Sequence, residues 1–345
     1  MRRLPGCFWL PVRHAGMMRA LAVVERHQAA MFLVALVVGG VAGLAMPSFG
    51  EAIEPALTPV LGVLLFLTFL SIPLAGLREA VRDARFIGAV MVANFVAVPV
   101  AVWLLSRFVA HDAALLLGVL LVLLTPCVDY VIVFAGLAGG SRERLLAATP
   151  LLMIAQLLLL PAYVWVMAGG EAVAVIDPRP FAEAFVLLIV VPLVLATVAQ
   201  AAARRSPRVG SVSSGLLRAM VPVMMLTLFV AVASQTAAVG DAMVSLAPVV
   251  PIFVAFVPCA VVVGIVASRL AGLDVSRRRA VVFSAATRNS LVVLPLALAL
   301  PAQFALTPLV VVTQTLVELV AMVVLVAVVP RLMPDRGAQR SGSAG

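Results

Sequence analysis

Cys127 and Asp129 interrupt one long apolar run, Arg288, Asn289 and Ser290 interrupt a second, and Glu318 stands in the middle of a third. Polar groups at such depth are costly. An arginine at the centre of a membrane span costs about 3 kcal/mol on insertion scales, so residues of this kind mark ion or substrate pathways. In the first run, LLLGVLLVLL meets Thr125-Pro126-Cys127-Val128-Asp129-Tyr130 before VIVFAGLAGG resumes. Pro126 has no amide hydrogen and its ring clashes one turn back, so the helix must kink or break. The sequence predicts Thr125 as N-cap and Pro126 as the first residue of a second half-helix. The amides near Cys127 and Val128 are then expected to face inward unpaired. Such an end attracts anionic or strongly polar ligands and biases Cys127 toward thiolate.

In the second run, VVFSAA leads into Thr287-Arg288-Asn289-Ser290 and then LVVLPLALAL, where Asn289 or Ser290 is the predicted cap of another half-helix. Two broken segments at matching places in two halves of a chain point to a transport site. Asp129 and Arg288 are able to neutralise each other as an internal ion pair. Glu318 lies in TQTLVELVAMVVL, one turn after Gln314 on the same face and with no obvious cationic partner within its own helix, which favours a functional role. Asn94 (in MVANFVAVPVAV), Gln156 and Gln235 read as interhelical hydrogen-bonding groups, and Asn94 is also a candidate coupling residue. Cys259 follows Pro258 without polar company and reads as packing.

Several classes of function are excluded by what is missing. Cys7, Cys127 and Cys259 show no CxxC spacing, against a disulfide framework or a zinc site. No HExxH or GxSxG motif is present, and His14, His27 and His111 lie outside the apolar runs, so no enzyme is expected. Without a GxxxxGK[ST] loop, energy must come from an ion gradient, the membrane potential or the substrate's own gradient.

The elements that must position these residues are legible in the composition. The chain is 64% hydrophobic and 11% charged, with mean hydropathy +1.21, more apolar surface than one soluble core can hide. Ten apolar segments follow, at about 28–46, 57–77, 86–106, 113–138, 145–168, 181–203, 218–239, 245–270, 280–300 and 305–332. The net charge of +9 comes entirely from arginine on the basic side, spread through alternate connections instead of clustered, which signals topology and not a nucleic-acid partner. The N-terminus and the even-numbered loops hold these arginines, while the odd-numbered loops hold only Arg107 and Arg179. Positive charge resists translocation, so both termini are expected on the cytoplasmic side of an inner (plasma) membrane. The opening stretch MRRLPGCFWLPVRHAG is too broken by proline and charge to read as a signal peptide.

The longest internal connection, 204–217, separates two sets of five segments. The expected organisation is a cytoplasmic segment 1–27, a first repeat 28–203, a linker 204–217, a second repeat 218–333 and a disordered tail 334–345. Because five is odd, two related halves insert with opposite orientation, the inverted-repeat plan of many secondary transporters. The expected fold is thus an all-α membrane protein of ten transmembrane helices in two inverted repeats.

This two-half plan, with NFVAVP, LTPCVDYVIVFAGLAGG and ATRNSLVVLPLALALP, resembles the bile acid/sodium symporter superfamily. Within it the chain looks most like the arsenite-efflux carriers and bacterial arsenic resistance proteins, over about residues 30 to 333. The resemblance implies a core domain of helices 3–5 and 8–10, a panel of helices 1, 2, 6 and 7, and broken helices 4 and 9 that cross in the core. It implies alternating access and export of arsenite or antimonite in exchange for protons. Cys127 and Glu318 stand where the arsenite carriers place a cysteine in the fourth helix and a glutamate in the last. Cys127 is then the transient metalloid ligand, and Thr125, Pro126, Arg288, Asn289 and Ser290 line the site. Glu318, Asp129 and Asn94 serve proton or ion coupling. No cofactor is implied beyond a coupling ion, proton or sodium, and the partners are the substrate and the lipid bilayer. Pro126 stands where those carriers place arginine, and Arg288-Asn289-Ser290 where they usually carry an Asn-Asn pair followed by an acid. These departures suit an anion, so the alternative is sodium- or proton-coupled symport of a small organic anion held by Arg288 and the half-helix ends. The sequence assigns no oligomeric state.

Overall fold

A computed structural model describes residues 31–71 apart from 33, 83–169 apart from 129, residue 183, and 186–334. Asp129, the segment 1–27 and residues 335–345 lie outside the described residues. Among the described residues all regular structure is helical, and the one extended pairing is an isolated antiparallel bridge between Pro126 and Arg288.

The chain runs through α1 (Val34–Ala45), α2 (Pro47–Ser71), α3 (Ala84–Val109), α4 (Ala113–Leu123), α5 (Val131–Leu137) and α6 (Arg142–Ala168). It continues through α7 (Val191–Arg205), α8 (Pro207–Arg218), α9 (Met220–Asp241), α10 (Met243–Leu270), α11 (Val275–Ala286), α12 (Ser290–Leu298) and α13 (Ala302–Leu332). Five of these, α2, α3, α6, α10 and α13, are each long and apolar enough to cross a bilayer. A sixth span arises if α8 is joined to Met220–Gln235 of α9 across a 41° bend. The fourth and ninth apolar segments are not single helices but the short pairs α4/α5 and α11/α12. The 204–217 connection contains the helix α8, none of whose residues is buried.

Helix starts in the half that holds the polar residues follow the capping chemistry of the sequence. Asp83 caps α3 through Phe86 N, Asp112 caps α4 through Ala114 N and Leu115 N, and Asp274 caps α11 through Arg277 N. Asp83 also receives Arg144 and Arg277, while Arg279 bonds the carbonyls of Ala138 and Met333 at the ends of α5 and α13. One end of α3, α5, α6, α11 and α13 is thereby laced by side chains. Inside α3, Ala93–Ala97 forms a π-turn just before Pro99. Pro99 cannot donate to the carbonyl of Phe95, and the Tyr163 hydroxyl of α6 supplies that donor at 2.5 Å. The turn places Asn94 inward with no exposure.

Packing falls into two groups. In one, α3, α4, α5, α6, α10, α11, α12 and α13 pack on one another, with α10 against α11 and α4 against α13 the most extensive. In the other, α2 packs against α7 and α9, and Gly39 and Gly43 of α1 approach Phe229 and Ala233 of α9; the groups meet where α9 touches α13 and α2 touches α12. Small residues allow the closest approaches, as is common between helices in lipid. A Cβ on Gly264 of α10 would lie 2.6 Å from the Val282 Cα of α11, and one on Gly118 of α4 would lie 2.7 Å from Val310 of α13. Gly264→Ala forces backbone apart from backbone, and its expected cost is about 1–3 kcal/mol, read as a lowered melting temperature of the purified protein in detergent.

Candidate transport site

The two helix breaks meet. Cys127 N donates to Thr287 O at 3.1 Å and Asn289 N donates to Thr125 O at 2.8 Å, so Pro126 and Arg288 face each other as an antiparallel pair that exchanges no hydrogen bonds of its own. At such a position an amide is not needed by the partner strand. Pro126, which lacks one, fits without loss, and the spare amide of Arg288 turns to Glu318 Oε2 at 2.9 Å.

This pairing corrects two expectations. Thr125 is not the N-cap of a half-helix starting at Pro126. Its Oγ1 bonds back to the carbonyls of Leu121 and Val122, closing the end of α4, and the helix resumes only at Val131 after Tyr130. The Cys127 amide is not left unpaired at a helix N-terminus, since Thr287 O takes it. The physical reason is that an extended pair satisfies the backbone of both breaks at once, which a helix start at Pro126 would do for neither. Asn289 does cap α12, through Val292 N at 3.3 Å.

Around this junction sit the polar side chains. Glu318, in α13 and 2% exposed, accepts from the Tyr130 hydroxyl at 2.6 Å, from Gln314 Nε2 and from the Arg288 amide. The same Tyr130 hydroxyl lies 3.0 Å from Arg288 O, which ties α13 to both breaks through one group. The Arg288 guanidinium is wholly buried and, among the described residues, bonds no carboxylate. It donates to Leu123 O (3.2 Å), Asn94 Oδ1 (2.8 Å), Ser284 O (2.9 Å) and Ala285 O (2.5 Å), and lies 5.4 Å from the centre of the Phe256 ring. Asn94 is held in turn by Val90 O and Ser284 Oγ, both at 3.0 Å. Cys127 is fully buried, and its sulfur is near enough to act electrostatically on Tyr130 and on Arg288.

Buried polar atoms without a hydrogen bond concentrate here. Of six among the described residues, four belong to Arg288 (Nε), Asn289 (Nδ2), Ser290 (Oγ, beside the Tyr130 hydroxyl but without good hydrogen-bond geometry) and Gln314 (Oε1). Native interiors leave few such atoms, and a cluster of them marks a place where a ligand or water is received. A narrow crevice lined by Leu123, Phe253, Phe256, Val317, Gln314 and Glu318 reaches this centre between α10 and α13. Among the described residues no group of three or more His, Cys, Asp or Glu could hold a metal ion.

The family model described as the Sodium Bile acid symporter family matches residues 58–246. The chain belongs to the sodium bile acid symporter family. Its members are transporters, so the chain is a multi-pass membrane transporter and not an enzyme. No curated protein matches it. The family match spans Asn94, Thr125, Pro126 and Cys127 but stops short of Arg288 and Glu318, which geometry alone joins to the centre.

Within this family member, Thr125, Pro126, Cys127, Arg288, Asn289, Ser290, Glu318 and Asn94 lie at one junction. Asp129 lies outside the described residues, and its expected pairing with Arg288 lies outside them too. Gln156 is apart, its amide on Met153 Sδ, and Gln235 is buried in α9. Cys259 is exposed, which departs from its reading as packing. Sequence reasoning missed Tyr130 and Ser284. Tyr130 had a signal, being one of only two tyrosines in the chain and adjacent to the break, whereas Ser284 in VVFSAA reads as an ordinary small helix residue.

Tyr130→Phe leaves Glu318 Oε1 and Arg288 O with a buried partner missing. The expected loss is about 1–3 kcal/mol of stability, measured by thermal melting, together with a marked loss of transport by folded protein.

Proposed function

We propose that this chain is an inner-membrane carrier of ten spans in two inverted repeats, with both termini cytoplasmic, that exports arsenite or antimonite in exchange for protons. The two packing groups, the paired breaks and the arginine-rich alternate connections support that layout. The group of α3–α6 and α10–α13 is the core, the group of α1, α2, α7 and α9 is the panel, and movement of one against the other gives alternating access.

The observation that carries the substrate reading is the convergence of one thiol and one carboxylate on Tyr130. Glu318 accepts the Tyr130 hydroxyl, and Cys127, buried in the same break as Tyr130, is near enough to act on it electrostatically. Trivalent arsenic near neutral pH is mostly the neutral hydroxide and is thiophilic. A single thiolate binds it and still releases it, whereas three would trap it. In the proposed cycle Cys127 takes the metalloid transiently, with loss of one hydroxide as water after protonation, and Glu318 carries the counter-transported proton. Arg288, Asn289, Ser290, Thr125 and Pro126 shape the site, and Asn94 fixes Arg288. Coupling by protons is favoured because Glu318 is the buried carboxylate at this junction among the described residues, with burial favouring its neutral form and its three donors favouring its charged form.

A second reading, sodium-coupled symport of a small organic anion, is favoured by the family match itself. Against its simplest form stands the guanidinium of Arg288, whose Nη1 and Nη2 groups already bond framework oxygens and which, among the described residues, keeps only its Nε–H without a partner.

The test is arsenite accumulation in an arsenite-sensitive bacterial strain expressing the chain or Cys127→Ser at equal levels. Lower accumulation with the wild type and loss of that effect in the variant is the expected result. Full arsenite resistance with Cys127→Ser, or none with well-expressed wild type, turns the reading to the organic anion.

A further inference from the structure

Among the described residues the guanidinium of Arg288 is held by four oxygens, none of which is charged: Asn94 Oδ1 and the carbonyls of Leu123, Ser284 and Ala285. The three carbonyls share an origin. In an unbroken helix each would accept from the amide four residues on, which for Leu123 is Cys127, for Ser284 Arg288 and for Ala285 Asn289. Those amides go elsewhere, to Thr287 O, Glu318 Oε2 and Thr125 O. The breaks thus leave the C-terminal carbonyls of α4 and α11 directed at one point, with the negative ends of two helices behind them. Neutral oxygens converging from helix ends and an amide side chain form the kind of set that replaces the hydration shell of a monovalent cation. In this protein a side chain fills it. The Glu318 carboxylate is close enough to feel this charge without pairing to it, and the Phe256 ring face completes the enclosure.

We propose that Arg288 is a tethered cation: the guanidinium fills, among oxygens from α3, α4 and α11, a latent site for a free monovalent cation such as sodium, and the carrier therefore works without one. The positive charge opposite Glu318 is then permanent, which leaves the proton as the exchangeable partner. The inference rests on reading the junction as the transport centre. Its test reads stability, so its failure is distinguishable from failure of the substrate assignment.

Full-length protein in detergent is melted in sodium, potassium, guanidinium at low concentration, or choline at the same ionic strength, for wild type, Arg288→Ala and Arg288→Gln. The wild type is expected to melt within about 1 °C in all four, whereas emptying the site makes Arg288→Ala rise by about 5 °C with sodium or guanidinium at a concentration well above its dissociation constant. Variants that can be purified only with one of those cations present support the proposal equally. A saturable sodium-dependent rise in the wild type overturns it. So do variants that fold but ignore every cation, or that fail to fold with and without them.

Discussion

A helix broken inside a membrane frees backbone amides and carbonyls where no water can take them, and every one of them must find a partner in the protein. In this chain two breaks meet that demand together. Cys127 N–Thr287 O and Asn289 N–Thr125 O close an antiparallel pair at the centre of the bundle, and the rest of the site depends on it. Because Pro126 sits opposite Arg288, a residue without an amide occupies a position where none is used. The amide of Arg288 is released toward Glu318 for the same reason. Moving the junction by a single residue would put the proline where an amide is required and take Glu318's backbone donor away.

From that pairing follow a negative and a positive feature close together. Glu318 is held by Tyr130, Gln314 and the Arg288 amide, and the Arg288 guanidinium by carbonyls that the breaks themselves orphan. The two charges remain within electrostatic reach without neutralising each other by contact. A buried pair of this sort gives little net stability but is sensitive to any change in protonation or ligand. That sensitivity is what a carrier needs at the point where its helices must respond to substrate. The unsatisfied atoms of Asn289, Ser290 and Gln314 surround this same point, and the rest of the protein packs as close-fitting helices with Gly264 and Gly118 at tight approaches.

Much of this was legible in the residues, and the part that was not has a clear cause. Pro126 and the polar run 287–290 point to the two breaks, because a missing amide kinks or breaks a helix and four polar side chains are costly within an apolar segment. The capping role of Asn289 is local and was readable as well. What the breaks do once formed was not readable. Thr125 bonds backward instead of forward because the helix does not resume until Val131, and only the presence of Thr287 and Asn289 across the junction makes that favourable. The partners of Arg288 are main-chain carbonyls from two helices and an amide from a third, which no pattern of side chains announces. Asn94 reads as interhelical glue, and the geometry agrees, since it holds the buried guanidinium of Arg288 from a different helix.

The central claim is that Glu318, at this junction, exchanges a proton for a thiol-bound metalloid. Uptake of arsenite into everted membrane vesicles with an acidic interior, compared between wild type and Glu318→Gln, tests it most directly. The account predicts gradient-driven accumulation by the wild type, and by Glu318→Gln only substrate exchange with no accumulation. Accumulation by Glu318→Gln that still follows the pH gradient, or wild-type vesicles that take up no arsenite, would contradict it.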